Sequence, residues 1–436
     1  MKIKYLIIFL PLILFMAGCT GKPKTMFDEL VVYCLADDAM SRYYVYSFML
    51  EYPDVPVVRK TFRDVAEMDE LIINELNVGE GPDVIIFTDE TGLDVVRMAK
   101  NGAFASLDKR LNEDESFNRE NYLTAALSAG EVNGRQYILP LTFMIPIVFY
   151  DAEGFSTFTP APIISYHDFM ESVKTNVERF KFDENYSILL MQRVTTPLIF
   201  SSQVLPTTAK NRRENFNEQG LKDIVDFLYL YYNECHDKSR QITATRGWGV
   251  EVIIENMMYF YTYSPGIELM DYYLRFFEGF YQRRGVENLG ISAFSEIGSD
   301  NVTAILERYG VITNNAHPLA YEFLRMAMDT NQPTSIYRDR GLSTNKEMIE
   351  FHLDKLINAN PRFFRRAEGG FWIEPISEKL AQNIRQIYNG IDNVVIPNPK
   401  VIDIFRDVFT PYFENNKTYN ECANEFIQRL NLYLTE

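Results

Sequence analysis

The sequence predicts an α/β protein built on a mixed, mostly parallel sheet flanked by helices. Three observations point there. From Leu30 to Phe87 short apolar runs alternate with longer amphipathic ones, a βαβαβ order that favours parallel strands with helices over both faces. A second strand, polar turn and helix return later, in "YGVITNNAHPLAYEFLRMAMD". With 47% hydrophobic and 24% charged residues, the 436-residue chain can bury a core sufficient for two or three domains.

Taken in order, "LVVYCLA" reads as a strand, "SRYYVYSFMLEY" as a helix, "VPVVRKTF" as a strand, "EMDELIINELN" as a helix and "DVIIF" as a third strand. Ligands of open α/β sheets lie beyond the carboxyl ends of the strands. Here the first strand runs into Ala36, Asp37 and Asp38, and the third into Thr88, Asp89 and Glu90, so acidic groups collect along one rim. "GRQYILPLTFMIPIVFYD" contains Pro140 and Pro146 and is expected to be extended, edge-like and suited to crossing between domains. A helix-rich stretch follows: "SYHDFMESVKTNVERF", with Ser165 as its N-cap, then "LKDIVDFLYLYYNECH". The aromatic segment "RGWGVEVIIENMMYFYTYSPG" comes next, and "NECANEFIQRLNLYLTE" closes the chain as one amphipathic helix. "RFFRRAEGGFW" is the one basic, aromatic cluster and reads as a solvated loop or insertion.

The leader has its own logic. Lys2 and Lys4 precede an apolar run from Tyr5 to Ala17, and Ala17 and Gly18 stand before Cys19, the layout of an export signal. The run is too short to span a bilayer, which needs about 20 apolar residues. "FMAGC" resembles the lipobox of bacterial lipoproteins, with Met16 where leucine is usual. Residues 1–18 are therefore expected to be a signal peptide, Cys19 the lipidated residue and 19–28 a tether. The expected location is the extracytoplasmic face of a bacterial membrane, since two or more acyl chains anchor stably.

A net charge of -17 argues against a nucleic-acid partner and against electrostatic adhesion to anionic lipids, so lipid rather than charge is expected to hold the protein at the membrane. Cys34, Cys235 and Cys422 remain after Cys19; one disulfide at most could form, and buried thiols suit the long spacings better. His167, His236, His317 and His352 stand singly and make no metal-ligand spacing, so neither a metal site nor a cofactor is expected.

Several stretches together resemble extracellular solute-binding proteins of family 1, which serve ABC importers of sugars. "FMLEYPDVPV", "GEGPDVIIF", "KNGAFASLD", "GRQYILP" with "VFYD", "PLAYEFLRMAMD", "GLSTNKEM" and the closing "YLTE" carry the resemblance in co-linear order. It is dense over residues 30–150 and 305–350 and again after 400, and thin from 180 to 300. What it implies is a two-lobe, type II periplasmic-binding-protein-like fold joined by hinge strands and closing on a solute. Residues 29–148 plus 305–360 would form one lobe, and 149–304 plus 361–436 the other. The partners implied are a carbohydrate, the permease subunits of an importer and, through the N-terminal lipid, the membrane; the chain itself is expected to be a monomer and not an enzyme.

By position in the family, Asp89 is the first candidate ligand contact, with Glu90 beside it and Asp37 or Asp38 after the first strand. Phe143 and Met144 would line the hinge, and Trp248, Tyr261 and Tyr263 would offer stacking faces in the second lobe. These types suit a sugar, whose hydroxyl edge needs carboxylate acceptors and whose C–H faces need aromatic plates. The chain is 14% aromatic but has only two tryptophans, Trp248 and Trp372. Bland roles compete: acids at strand ends also act as solvated caps, and "MMYFYTY" also suits a buried strand. Two other functions stay open from the residues, a lipid-anchored sensor with the same fold and a surface glycosidase, although the chain has no G-x-S-x-G, H-E-x-x-H or phosphate-binding G-x-x-x-x-G-K-[ST].

Overall fold

The computed structural model describes residues 25–26, 28–36, 38–151, 161–175, 198–205, 217–233, 258–261, 275, 289–329, 341–366 and 369–435. In chain order these form β1 (Leu30–Leu35), α1 (Ala39–Glu51), β2 (Val57–Phe62), α2 (Val65–Asn77), β3 (Val84–Thr88), α3 (Val95–Lys100) and α4 (Asp108–Glu113). Next come α5 (Thr124–Ala129), β4 (Glu131–Val132), β5 (Arg135–Gln136), β6 (Ile138–Met144), β7 (Ile147–Asp151), β8 (Ile163–Ser165), α6 (Tyr166–Thr175), α7 (Glu218–Asn233) and β9 (Met258–Tyr261). The rest are β10 (Leu289–Ser295), β11 (Val302–Ile312), α8 (Ala320–Asp329), β12 (Leu342–Ser343), α9 (Lys346–Ile357), β13 (Arg362–Arg366) and β14 (Gly369–Ile373). After them α10 (Glu378–Asn389), β15 (Ile391–Val395), α11 (Pro399–Phe413) and α12 (Tyr419–Thr435) complete the chain.

Packing divides the chain into two compact units: residues 1–117, 130–139 and 309–332 in the first, and 118–129, 140–308 and 333–436 in the second. The chain passes between them inside β6 and inside β11. In the second unit Leu342 and Ser343 pair with Phe143 and Thr142 of β6.

In the first unit β1 lies between β2 and β3, parallel to both, with Leu30 opposite Val57 and Val32 opposite Val84. The reason is legible in the residues. Every position of β1 but Val31 is buried, as is all of β3, as strands covered on both faces require. β2 is the outer strand, largely solvated, and its Arg59 and Lys60 suit an edge. Helices begin where short polar side chains can take up their free N–H groups: Asp38 caps α1, Asp64 caps α2 and Asp94 caps α3. α8 turns Tyr321, Phe323, Leu324 and Met328 inward, and Phe323 meets Phe48 of α1 edge to face at 5.5 Å.

The second unit is mixed. β10 runs antiparallel to β7 and parallel to β8, β7 pairs antiparallel with β9, and β15 runs parallel to β11. Its core joins Phe169, Phe227 and Phe294 to Phe405, Phe409 and Phe426 of the last two helices. Ser165 does cap α6, accepting the Asp168 N–H at 3.0 Å, and Pro399 opens α11 behind the Asn398 cap.

Two expectations are corrected. β6 is not an edge: it pairs with both β11 and β12, and all seven of its residues are buried. Pro140 removes one donor, but its carbonyl still accepts from the Thr344 hydroxyl at 3.0 Å, so the strand keeps its place. "RFFRRAEGGFW" is not a loop but an antiparallel hairpin, β13 with β14, in which Phe363 stands opposite Trp372. Buried Arg275 holds its base, donating to the carbonyls of Asn360, Ile373 and Glu374.

Candidate functional site

The acidic rim lies in the first unit. With Tyr33 opposite Ile85, β1 and β3 end level with each other, so Asp38 and the loop carrying Asp89 and Glu90 leave the sheet on the same side. Asp38 is 7% exposed and its Oδ1 accepts the Met40 N–H at 3.2 Å. Its carbonyl takes the Ser41 hydroxyl at 2.9 Å and an Arg59 N–H at 3.4 Å. That carboxylate starts a helix. Asp37 lies outside the described residues.

Asp89 is half-buried and Glu90 exposed. Their loop is built to one shape. Thr88 accepts the Glu90 N–H at 3.4 Å on its hydroxyl, and Thr91 accepts the Leu93 N–H at 3.3 Å. From α2, Asp69 reaches across: its Oδ1 takes the Thr91 hydroxyl at 2.8 Å and its Oδ2 the Gly92 N–H at 2.6 Å. Burial pushes the Asp69 carboxyl pKa up, and those two hydrogen bonds pull against it. Tyr309, buried beneath with its ring 5.7 Å from that of Phe87, has its phenol pushed up as well, first by burial and then by the charges of Asp89, Asp69 and Asp94. The rim is thus an acceptor-rich, negatively charged edge held by these hydrogen bonds, and it carries the half-buried Asp89 and the exposed Glu90.

Sequence reasoning missed the supports. Arg59 donates to Cys34 Sγ at 3.2 Å and to the Leu35 carbonyl at 3.5 Å, tying the end of β1 to β2; the available signal was the basic pair Arg59-Lys60 within a strand. Asp69 gives no signal, since an acid on an amphipathic helix reads as solvated.

In the second unit, Phe143 and Met144 are 0% and 1% exposed; Phe143 packs 5.8 Å from the ring of Tyr388 and Met144 belongs to the core. They fill the interior of the second unit, on the strand in which the chain passes from one unit to the other. Thr142, between them and Pro140, instead belongs to a buried polar knot: its hydroxyl donates to Glu307 Oε2 at 2.5 Å, Arg308 donates to Thr142 Oγ1 at 3.3 Å, and Arg308 pairs with Glu307 at 3.5 Å. Tyr261 ends β9 opposite Ile147. Trp248, Tyr263, Cys19, Cys235 and the leader lie outside the described residues.

Two cavities lie elsewhere. One, of about 630 Å³ in the first unit, is lined by Tyr43, Tyr52, Asp114, Tyr321, Glu322 and Arg325 among others. The other, of about 660 Å³ in the second, is lined by Thr124, Ser128, Lys346, Asn389, Asp392 and Asn393 among others. Neither contains a residue singled out from the sequence. Among the described residues no cluster of His, Cys, Asp and Glu could hold a metal ion, and no helix is long and apolar enough to cross a membrane. Cys34 and Cys422 are buried free thiols.

No protein-family profile matches the chain. No curated protein sequence matches it either. Solved structures do. The chain is similar to the sugar-binding protein MalE of Xanthomonas citri, with a TM-score of 0.64 and 12% identity over 94% of this chain and 98% of that one. It is similar to a family 1 extracellular solute-binding protein of Alicyclobacillus acidocaldarius, with a TM-score of 0.56 and 14% identity over 96% and 100%. It is also similar to an ABC substrate-binding protein of Listeria monocytogenes solved with cycloalternan, with a TM-score of 0.54 and 12% identity over 94% and 99%. The fold is the two-lobe α/β fold of periplasmic-type binding proteins.

Proposed function

We propose that this protein is a lipid-anchored solute-binding protein that captures a carbohydrate, an oligosaccharide by preference, between its two lobes and hands it to an ABC importer on the extracytoplasmic face of a bacterial membrane. The observation that carries the reading is the fold match along nearly the whole chain to proteins whose names specify sugars. The leader, the lipobox and the acidic residues at the ends of parallel strands support it independently.

In this reading Asp89 and Glu90 accept sugar hydroxyls, and Tyr261 and Tyr263 with Trp248 supply stacking faces from the other lobe. A charge-assisted hydrogen bond contributes roughly 1.5 to 3 kcal/mol and a stacked ring about 0.5 to 1.5 kcal/mol, so a few contacts reach micromolar affinity. Gripping the solute from both lobes favours the closed form by differential affinity, and the closed form is what an importer would recognise.

A thermal-shift screen against mono- and oligosaccharides, polyols and peptides tests this. A ligand at 100 times its dissociation constant adds about 2.7 kcal/mol of stability. Stabilisation by an oligosaccharide, lost on Asp89→Ala, is the expected result; silence toward every carbohydrate would overturn the proposal and favour a sensor.

A further inference from the structure

The β13–β14 hairpin carries an exposed aromatic pair. Phe363 and Trp372 face each other across it with ring centroids 5.3 Å apart, edge to face, and they are 51% and 57% exposed. The next pair in register, Arg362 and Ile373, alternates to the other side, and Ile373 is buried there. The hairpin therefore has an anchored face and an outward aromatic one, and the carbonyl bonds of Arg275 fix its base.

Its charge runs against the chain. The stretch from Arg362 to Glu374 carries Arg362, Arg365 and Arg366 against Glu368 and Glu374, a net positive segment in a protein of net charge -17. A water-exposed tryptophan–phenylalanine pair flanked by arginines is the chemistry of a membrane interface: amphipathic rings sit at headgroup depth, and guanidinium groups meet phosphate. An acidic body repelled by the same surface would turn this one face toward it.

We propose that the β13–β14 hairpin is a membrane contact that takes anionic lipid headgroups and sets how the tethered protein stands on the bilayer. It draws on the anchoring part of the function above, since tethering supplies the local concentration that lets a small contact act, and owes nothing to the identity of the solute.

The chain has two tryptophans, so Trp248→Phe leaves Trp372 as the sole indole reporter. The full chain carrying that substitution is reconstituted into vesicles of phosphatidylglycerol or of phosphatidylcholine, with and without bromine on the acyl chains. The expected result is a blue-shifted Trp372 emission quenched roughly twofold by brominated phosphatidylglycerol, with much less quenching in phosphatidylcholine. Quenching should fall on Arg365→Gln and in salt of about 0.5 M, where charge interactions are screened within a few ångströms. Phe363→Ser should weaken it without moving the unfolding temperature by more than a degree or so, since that ring is exposed. Trp372 emission indifferent to lipid in chain retained by the vesicles would overturn the contact alone. Failure of the vesicles to retain the chain would overturn the anchoring reading with it.

Discussion

Asp69 Oδ2 receives the Gly92 N–H at 2.6 Å, so a carboxylate on α2 fixes the loop beyond β3. An asparagine at 69 keeps one acceptor oxygen where two donors, from Thr91 and Gly92, converge. Asp69→Asn should strand one of them, at a cost of about 1 to 3 kcal/mol. Because burial raises the native pKa, this group's contribution is greatest when protonated and declines as pH rises through that pKa. The gap in melting temperature between wild type and variant should therefore widen as pH falls from 7 toward the carboxylate range. Hydrogen exchange at the Gly92 amide should quicken in the variant; an unchanged rate would show that the latch is idle.

Gly341 has φ +88, and a Cβ there would lie 2.7 Å from Glu307 Oε2 and 2.9 Å from Thr142 Cβ. Gly341→Ala should combine backbone strain with disruption of the buried Thr142–Glu307–Arg308 knot, about 3 kcal/mol or more. Gly102 is the control: its φ is +79, but nothing lies within 4 Å of its would-be Cβ. Gly102→Ala should cost about 1 kcal/mol, the strain alone. Equal melting temperatures for the two variants would deny the knot any part in stability.

Burial, with a smaller push from the charge of Lys355, lowers the His352 pKa to about 4. The unfolded chain takes up a proton near pH 6.5, the native chain only near 4, so the native state loses stability as pH falls between these values. The full loss is of order 3 kcal/mol. His352→Gln removes this titration, so its unfolding free energy should fall less steeply than that of the wild type between pH 6.5 and 4. Parallel curves from urea titrations at several pH values would sink the assignment.

The regular elements of the first unit were legible because each leaves a periodic signature. "LVVYCLA" and "DVIIF" are apolar on both faces and became central strands, and the alternating "EMDELIINELN" became α2. Proline misled at β6, where an edge was read, since a side-chain hydroxyl on Thr344 can serve a carbonyl in an interior strand. The hairpin at 362–373 was missed because Phe363 and Trp372 face outward and mimic an irregular insertion. In the site, residue type located the rim but not the division of labour along it. Asp38 and Asp89 look alike in sequence; only the start of α1 directly after Asp38 makes one a cap.

That division gives a paired test. Asp38→Ala removes the side chain that accepts the Met40 N–H, so the unliganded protein should lose about 1 kcal/mol and melt lower. Asp89→Ala removes a half-buried carboxylate from a loop whose shape Asp69, Thr88 and Thr91 maintain, so the unliganded melting temperature should stay within a degree or two of wild type. With the oligosaccharide that stabilises the wild type, the order should reverse: Asp38→Ala keeps most of the ligand-induced shift and Asp89→Ala loses it. Removing one charge-assisted acceptor weakens binding by roughly 1.5 to 3 kcal/mol, about a tenfold to hundredfold rise in dissociation constant, readable by calorimetry. A ligand shift retained by Asp89→Ala and lost by Asp38→Ala would exchange the two roles.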